Sequence, residues 1–204
     1  MKNIIFDLGG VLIAWDPDTV YKKYFGDDLE KMDRFYKEIQ IDKVNAKLDR
    51  GLPFDEGLTE LAKKFPKYHE PIHLWKSKWI EMIGGTIDGS IKILESLHAQ
   101  GYPLYALTNW ATETFFTYIR YNYAFLNLFK DIVISGVEHE IKPEPEIYKI
   151  LLRRNKLDPK DCIFIDDKQE NLIPAKNLGM ATIKFASPKQ LQDELKLLGI
   201  SVDI

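Results

Sequence analysis

Asn3-Ile4-Ile5-Phe6-Asp7-Leu8-Gly9-Gly10 sets a short apolar run against an aspartate and a glycine pair. An apolar run without polar alternation reads as a strand buried on both faces, as in a parallel sheet covered by helices. Four further runs, at residues 104–107, 132–135, 162–165 and 182–185, have the same character as 3–6. Helical patterns lie between and after them. Residues 90–100 place Ile91, Leu94, Leu97 and His98 on one stripe and stop at Gly101, a C-terminal glycine signal. Residues 146–154 follow Pro145, which a first helical turn tolerates. Residues 170–178 precede Gly179 and require Pro174 in their first turn, and 190–198 end at Gly199. Strand and helix alternate, so the fold class predicted is α/β, a Rossmann-like doubly wound parallel sheet.

Residues 16–85 read differently. They are rich in Lys, Asp and Glu, have helical periodicity and contain no convincing strand. Trp75, Trp79 and Met82 fall at helical spacing, which predicts core packing, and the charged stretch 27–50 reads as a solvated helical face. Pro17 and Gly84-Gly85 mark the junctions, the glycines allowing backbone freedom. The predicted organisation is a core of residues 1–15 and 86–204, interrupted by a helical cap at 16–85.

In doubly wound sheets, ligands bind beyond the carboxyl ends of the strands. Asp7 closes the first run, Thr108-Asn109 the second and Asp166-Asp167 the fourth, while Glu138 to Lys142 follow the third. Crowded acids repel unless a cation or proton sits between them, and oxygen-only ligands favour a hard ion such as Mg²⁺. Lys142 and Thr108 would hold phosphate oxygens by charge and by a hydroxyl. Pro143 biases Lys142 towards an extended loop. The chemistry such a rim suits is phosphoryl transfer, where positioning and charge neutralisation dominate.

The segments FDLGGVL, LTN, IKPEPEIY and FIDDKQENL resemble, in order, the four motifs of the haloacid dehalogenase (HAD) superfamily. The run from IKPEPEIY through FIDDKQENLIPAKNLGM is similar to the N-terminal phosphatase domain of soluble epoxide hydrolases. FDLGGVLIAWDP and ALTNW resemble a branch of small bacterial phosphatases that includes glucose-1-phosphate phosphatase. The resemblance implies a Mg²⁺-dependent phosphomonoester hydrolase acting on a small soluble metabolite, a sugar phosphate being one candidate. It makes Asp7 a nucleophile that forms an aspartyl-phosphate. Thr108 and the Asn109 amide would bind the phosphoryl group, and Lys142 would neutralise it. Asp7, Asp167 and the main-chain oxygen of Gly9 would ligate the metal, with Asp166 orienting that shell or ligating directly.

One position departs from the family pattern. Most of these phosphatases carry a second aspartate, an acid and base, where this chain has Gly9. Such help is worth about 10²–10⁴-fold. Either the substrate has a good leaving group, or another carboxylate serves, with Asp16 the best candidate and Asp18 a weaker one. A 2-haloacid dehalogenase is the rival enzyme class, disfavoured by the paired acids at 166–167. A non-catalytic phosphoryl-binding protein is the rival from outside enzymes.

Other features have plainer readings. His69-Glu70-Pro71-Ile72-His73 fits a zinc-peptidase pattern, but Pro71 is expected to leave His69 ahead of the helix. Cys162 reads as a small buried hydrophobe, and His98 and His139 as surface or satisfied residues. Trp15 stands at the hinge, where its ring could meet the leaving group; Trp110 reads equally as pocket floor or packing. A net charge of −3 over 204 residues gives no footprint for nucleic acid or an anionic membrane. No apolar run reaches the ~18 residues needed to span a bilayer, and a single cysteine requires no oxidising compartment. The N-terminal apolar stretch is too short for a signal peptide, so a cytoplasmic setting is expected. Oligomeric state has no signal here.

Overall fold

The computed structural model describes residues 1–26 and 28–202; Asp27, the first residue of the charged stretch, lies outside them. Five strands form one parallel sheet: β1 (Asn3–Phe6), β4 (Leu104–Thr108), β5 (Asp131–Ile134), β6 (Cys162–Asp166) and β7 (Ala181–Lys184), in the order β5-β4-β1-β6-β7. The chain builds outward from β1 on one side, then crosses over to β6 on the other. The carboxyl end of β1 is therefore the switch point, where a crevice opens. Every residue of β4 and β6 is buried, which explains why these strands carry apolar residues without alternation.

Two apolar clusters cover the sheet. One, containing Ile5, Leu107, Phe164, Tyr148 and Leu172, packs α10 (Pro145–Asn155) and α11 (Gln169–Asn177) onto it. The other joins Ile4, Phe6 and Ile165 to α6 (Asp88–Ala99) and α12 (Pro188–Leu197), and continues without a break into the residues before β4. In α6 the inward face is Ser90, Ile93, Leu94 and Leu97. His98 is exposed, so the predicted stripe was rotated by about one position. Pro174 is the sixth residue of α11, past its first turn. Its missing N–H falls beside exposed Ile173, where water can serve the freed carbonyl.

The junctions of the insertion hold what sequence patterns missed. β2 (Ile13–Trp15) and β3 (Ile83–Thr86) pair as a short antiparallel ribbon. A Cβ on Gly84 would stand 2.9 Å from the Ala14 Cβ, and Gly85 has φ of +84°. These glycines thus serve close strand approach and a left-handed backbone, rather than a loose linker.

Between the two ribbon strands lie α1 (Asp18–Phe25), α2 (Leu29–Ile39), α3 (Ile41–Asp49), α4 (Phe54–Lys64) and α5 (His69–Ser77). Gln40, in the left-handed region, turns the chain from α2 into α3. The helices close over aromatic side chains: Phe35 packs against Tyr21 at 5.3 Å, Tyr68 at 5.1 Å and Phe25 at 5.5 Å between ring centres. Beyond β4, α7 (Thr112–Thr114) passes through a π-helical turn into α8 (Arg120–Asn122). After β5 comes the single turn α9 (Ser135–Glu138).

Because insertion and sheet share one apolar cluster, they are expected to unfold together. Phe35→Ala removes a fully buried ring and should cost about 3–5 kcal/mol. Denaturant unfolding followed by tryptophan fluorescence and by far-ultraviolet dichroism should give coincident, down-shifted curves. Two separated transitions would contradict a shared core.

Candidate active site

Asp7 follows the central strand directly, its N–H bonded to the Ile165 carbonyl of β6 at 2.9 Å. Its Oδ1 accepts the Leu8 N–H at 2.7 Å. Its Oδ2 lies 2.9 Å from the Lys142 ammonium, which also donates to Asp166 Oδ2 at 2.7 Å. All three groups are buried, with Lys142 only 3% exposed and Asp166 not at all. Asp7, Asp166 and Asp167 each bring a carboxylate oxygen within 4.8 Å of the others. Among the described residues this is the one such group of three histidine, cysteine, aspartate or glutamate side chains.

One ammonium among three acids leaves an excess of negative charge. Burial raises the Asp7 pKa above the usual carboxylate range; Lys142 opposes this, while Asp166 and Asp167 add to it. Burial also raises Asp167, helped by Asp166 and opposed by Lys168 and Lys142. Desolvation works against the Lys142 charge, but Asp7 and Asp166 outweigh it and the net shift is upward. A cation at these oxygens would relieve the imbalance. The donor set is all oxygen and half enclosed, so the residues present fit a hard divalent ion.

The sequence does not announce the parts that hold this cluster. Asn109 donates its side-chain amide to the Lys142 carbonyl at 2.9 Å and accepts the Lys142 N–H at 2.8 Å. That reciprocal pair fixes the loop in which the Lys142-Pro143 peptide bond is cis. Asn171 donates to both oxygens of Asp166 at 2.9 and 3.0 Å, and the Lys168 N–H adds a third bond at 2.8 Å. Asp166 is thereby committed to protein donors, which suits orienting better than direct ligation. Gly10, at φ +76°, lets Asp167 come close: a Cβ there would meet its carboxylate at 2.7 Å. Thr108 ends β4 with a buried hydroxyl that has no partner among the described residues, an orphan expected to be satisfied by a ligand.

A cavity of about 590 Å³ opens over the rim, lined by Asp7, Gly9, Asn109, Lys142 and Asp167 from below. From above, α3 lines it with Asp42, Asn45, Ala46 and Asp49, positions three and four apart that share one helical face. Trp15, Trp79 and Trp110 form an aromatic wall. Trp79 lies 5.5 Å from Trp15 and 5.9 Å from Trp110 between ring centres. Trp79, read from the sequence as core alone, is thus both core and wall. Trp110 flanks the acid-free position, 3.6 Å from where a Gly9 Cβ would stand.

Asp16 is not brought to this rim. It is exposed, and its carboxylate accepts the Asp18 N–H and the Thr19 hydroxyl, both at 3.1 Å, at the start of α1. Proximity to Asp7 along the chain was a poor guide, because β2 carries the backbone away from the strand end. Asp18 is engaged with Tyr36 at 3.0 Å. Of the two acids that line the cavity from above, Asp42 and Asp49, the less exposed is Asp49, which sequence reading passed over as part of a solvated face. Burial pushes its carboxyl up to about 7, against the lowering effects of Lys168, Lys142, the Ala111 N–H and the Asn45 amide.

His69 begins α5 rather than preceding it, Pro71 being third in the helix, and its ring lies 4.7 Å from that of His73. The two share a face, but among the described residues no third ligand completes a cluster with them, and Glu70 accepts the Tyr24 hydroxyl at 3.1 Å. His139 Nδ1 pairs with the Arg50 carbonyl at 3.0 Å. Burial pushes the Cys162 thiol up to about 11, so it stays a thiol. No helix among the described residues is long and apolar enough to cross a membrane.

Comparison with known proteins places this geometry. A sesquiterpene phosphatase, astK, of Aspergillus oryzae is 29% identical over 97% of this chain and 96% of its own length. The bifunctional epoxide hydrolase 2 of Rattus norvegicus is 51% identical over 43 residues, 21% of this chain and 8% of that protein. A HAD-family enzyme of Bacteroides thetaiotaomicron superposes with a TM-score of 0.74 at 22% identity, covering 97% of this chain and 98% of that one. Its wild-type complex with magnesium and inorganic phosphate superposes at 0.67, with 24% identity over 92% and 95% of the two chains. The family model for haloacid dehalogenase-like hydrolases matches residues 1–179, and the chain belongs to that family.

Proposed function

We propose that this hydrolase is a Mg²⁺-dependent phosphatase of small phosphorylated metabolites, with Asp7 as the nucleophile. The observation that carries the reading is the buried Lys142 ammonium held between Asp7 and Asp166, with the unpartnered Thr108 hydroxyl on the adjacent strand end. Fixed positive charge beside a carboxylate, plus an unsatisfied donor, is a receptor for a phosphoryl group. The Aspergillus relative's name and the ions bound by the Bacteroides enzyme support the same reading.

In this scheme Asp7, Asp167 and the main-chain oxygen of Gly9 hold the metal, while Asp166 orients Lys142 and braces the shell. The ion, when bound, neutralises charge on the phosphate and keeps Asp7 ionised. Lys142 holds one Asp7 oxygen and the Leu8 N–H the other, so the carboxylate is aimed before substrate arrives. Thr108 and the Asn109 amide receive phosphoryl oxygens. Attack on phosphorus gives an aspartyl-phosphate, which water then hydrolyses. The inserted helices act as a cap: they close the cavity to a volume within the range of small-molecule sites and exclude bulk water. Its size, about 590 Å³, and its aromatic wall suit a metabolite with an apolar or ring-bearing leaving group.

A panel of metabolite phosphates assayed with Mg²⁺ should reveal phosphate release by the wild type, abolished by EDTA and by Asp7→Asn. Chloride release from 2-haloacids, insensitive to EDTA, would instead favour the dehalogenase. No phosphate release from any member, together with failure to bind beryllium fluoride, would favour a non-catalytic protein. Thr108→Val tests the receptor separately. It deletes a hydroxyl that has no partner in the free protein, so the melting temperature should hold or rise. Affinity for inorganic phosphate should fall about 10-fold or more, the value of one hydrogen bond to a charged group. Unchanged phosphate affinity would remove Thr108 from the site.

A further inference from the structure

We propose that Asp49, on the inserted helix α3, gives a proton to the leaving alcohol and takes one from the attacking water, an inference that rests on the phosphatase reading above. None of the rim acids Asp7, Asp166 and Asp167 is free to do this. Position 9 is a glycine, Asp7 attacks, Asp166 accepts from Lys142, Lys168 and Asn171, and Asp167 faces the metal position. Asp16 is turned into the start of α1.

Asp49 is held where a proton is needed. It lines the same cavity as Asp7. Its carboxylate accepts the Asn45 amide at 2.9 Å. Its main-chain oxygen accepts the Ser135 hydroxyl at 2.5 Å. The Ser135 bond fastens it to the end of β5, and Ser135 in turn accepts the Trp110 N–H at 2.9 Å from the loop after β4. It also lies within electrostatic reach of Lys142, itself 2.9 Å from Asp7. Burial raises the pKa of this carboxyl to about 7, so both protonation states are within reach near neutral pH, the condition under which one group can serve as acid and then as base.

In the first step an Asp7 oxygen bonds to phosphorus, the bond from phosphorus to the alcohol oxygen breaks, and that oxygen takes the Asp49 proton. In the second, water bonds to phosphorus as Asp49 accepts its proton, and the bond from phosphorus to Asp7 breaks. Ester and water become alcohol and phosphate, and Asp49 ends protonated.

Asp49 could instead only pin the insertion to the core, and leaving-group dependence separates the two roles. Asp49→Asn keeps the size of the side chain and leaves the main-chain bond to Ser135 in place. With Mg²⁺, kcat/KM is measured on benzyl phosphate and p-nitrophenyl phosphate, similar in size but very different in leaving-group basicity. The variant should lose about 10²-fold more on benzyl phosphate. It should also show a burst of nitrophenolate, because the phosphoryl-enzyme forms but hydrolyses slowly. The ratio of the two kcat/KM values does not depend on the folded fraction, so partial misfolding cannot imitate the result. Equal losses on both esters, or no loss on benzyl phosphate, would overturn the proposal. A wild type inert on both, and on the metabolite panel, would overturn the phosphatase reading with it.

Discussion

A buried ammonium between two buried carboxylates is the constraint around which this molecule is arranged. Taking an ion out of water costs several kcal/mol even after relaxation, so Lys142, Asp7 and Asp166 are tolerable only as a set. Their bonds at 2.7 and 2.9 Å tie the end of β1 to the end of β6 and to the loop carrying Lys142. Asn109 brings in the end of β4 by clamping the Lys142 backbone on both sides. The sheet order, with β1 between β4 and β6, is what makes those three ends neighbours. Removing Lys142 would leave two acids buried without a counter-charge, and removing either acid would loosen the lysine.

That arrangement explains which parts of the molecule could be read from the chain. Strands buried on both faces write a continuous apolar run, and β1 was legible to the residue while the others shifted by one at most. Asp7, Thr108, Lys142 and Asp166-Asp167 were legible as well, since strand ends in a doubly wound sheet converge by topology. The supporting residues were not. Asn171 sits within a helix and Ser135 at the start of a turn, and only the fold brings the first to Asp166 and the second to Asp49. The β2–β3 ribbon escaped because each strand is three or four residues long and half-buried, with glycines that argue against a strand. Asp16 was misjudged because nearness in sequence stood in for nearness in space. Asp49 was hidden by its helix: α3 turns Leu48 inward and its charged residues outward, and a polar face lining a cavity has the same pattern as one facing solvent.

The insertion and the core divide the chemistry by charge. The rim concentrates anionic oxygens and one cation, groups suited to holding a phosphoryl group and a metal. The face above it carries an amide, a methyl and two acids on α3, beside three tryptophans. A substrate's phosphate and its leaving group would therefore meet different environments, one ionic and one that mixes aromatic rings with acids and an amide. On the phosphatase reading, choice among phosphates would rest with the residues above the rim.

The glycine at position 9 fits this division. A fourth carboxylate beside Asp7 would join a rim where one ammonium already faces three acids, and would need its own proton or cation. Trp110 flanks the position at 3.6 Å, so its ring would also take water away from such an acid and raise the cost of its charge. An acid on α3 avoids the first of these penalties. The Ala111 N–H and the Asn45 amide support its anion, Lys168 and Lys142 lower its pKa from a distance, and burial raises it. The balance sets it apart from Asp7 and Asp166 below, which share the Lys142 ammonium.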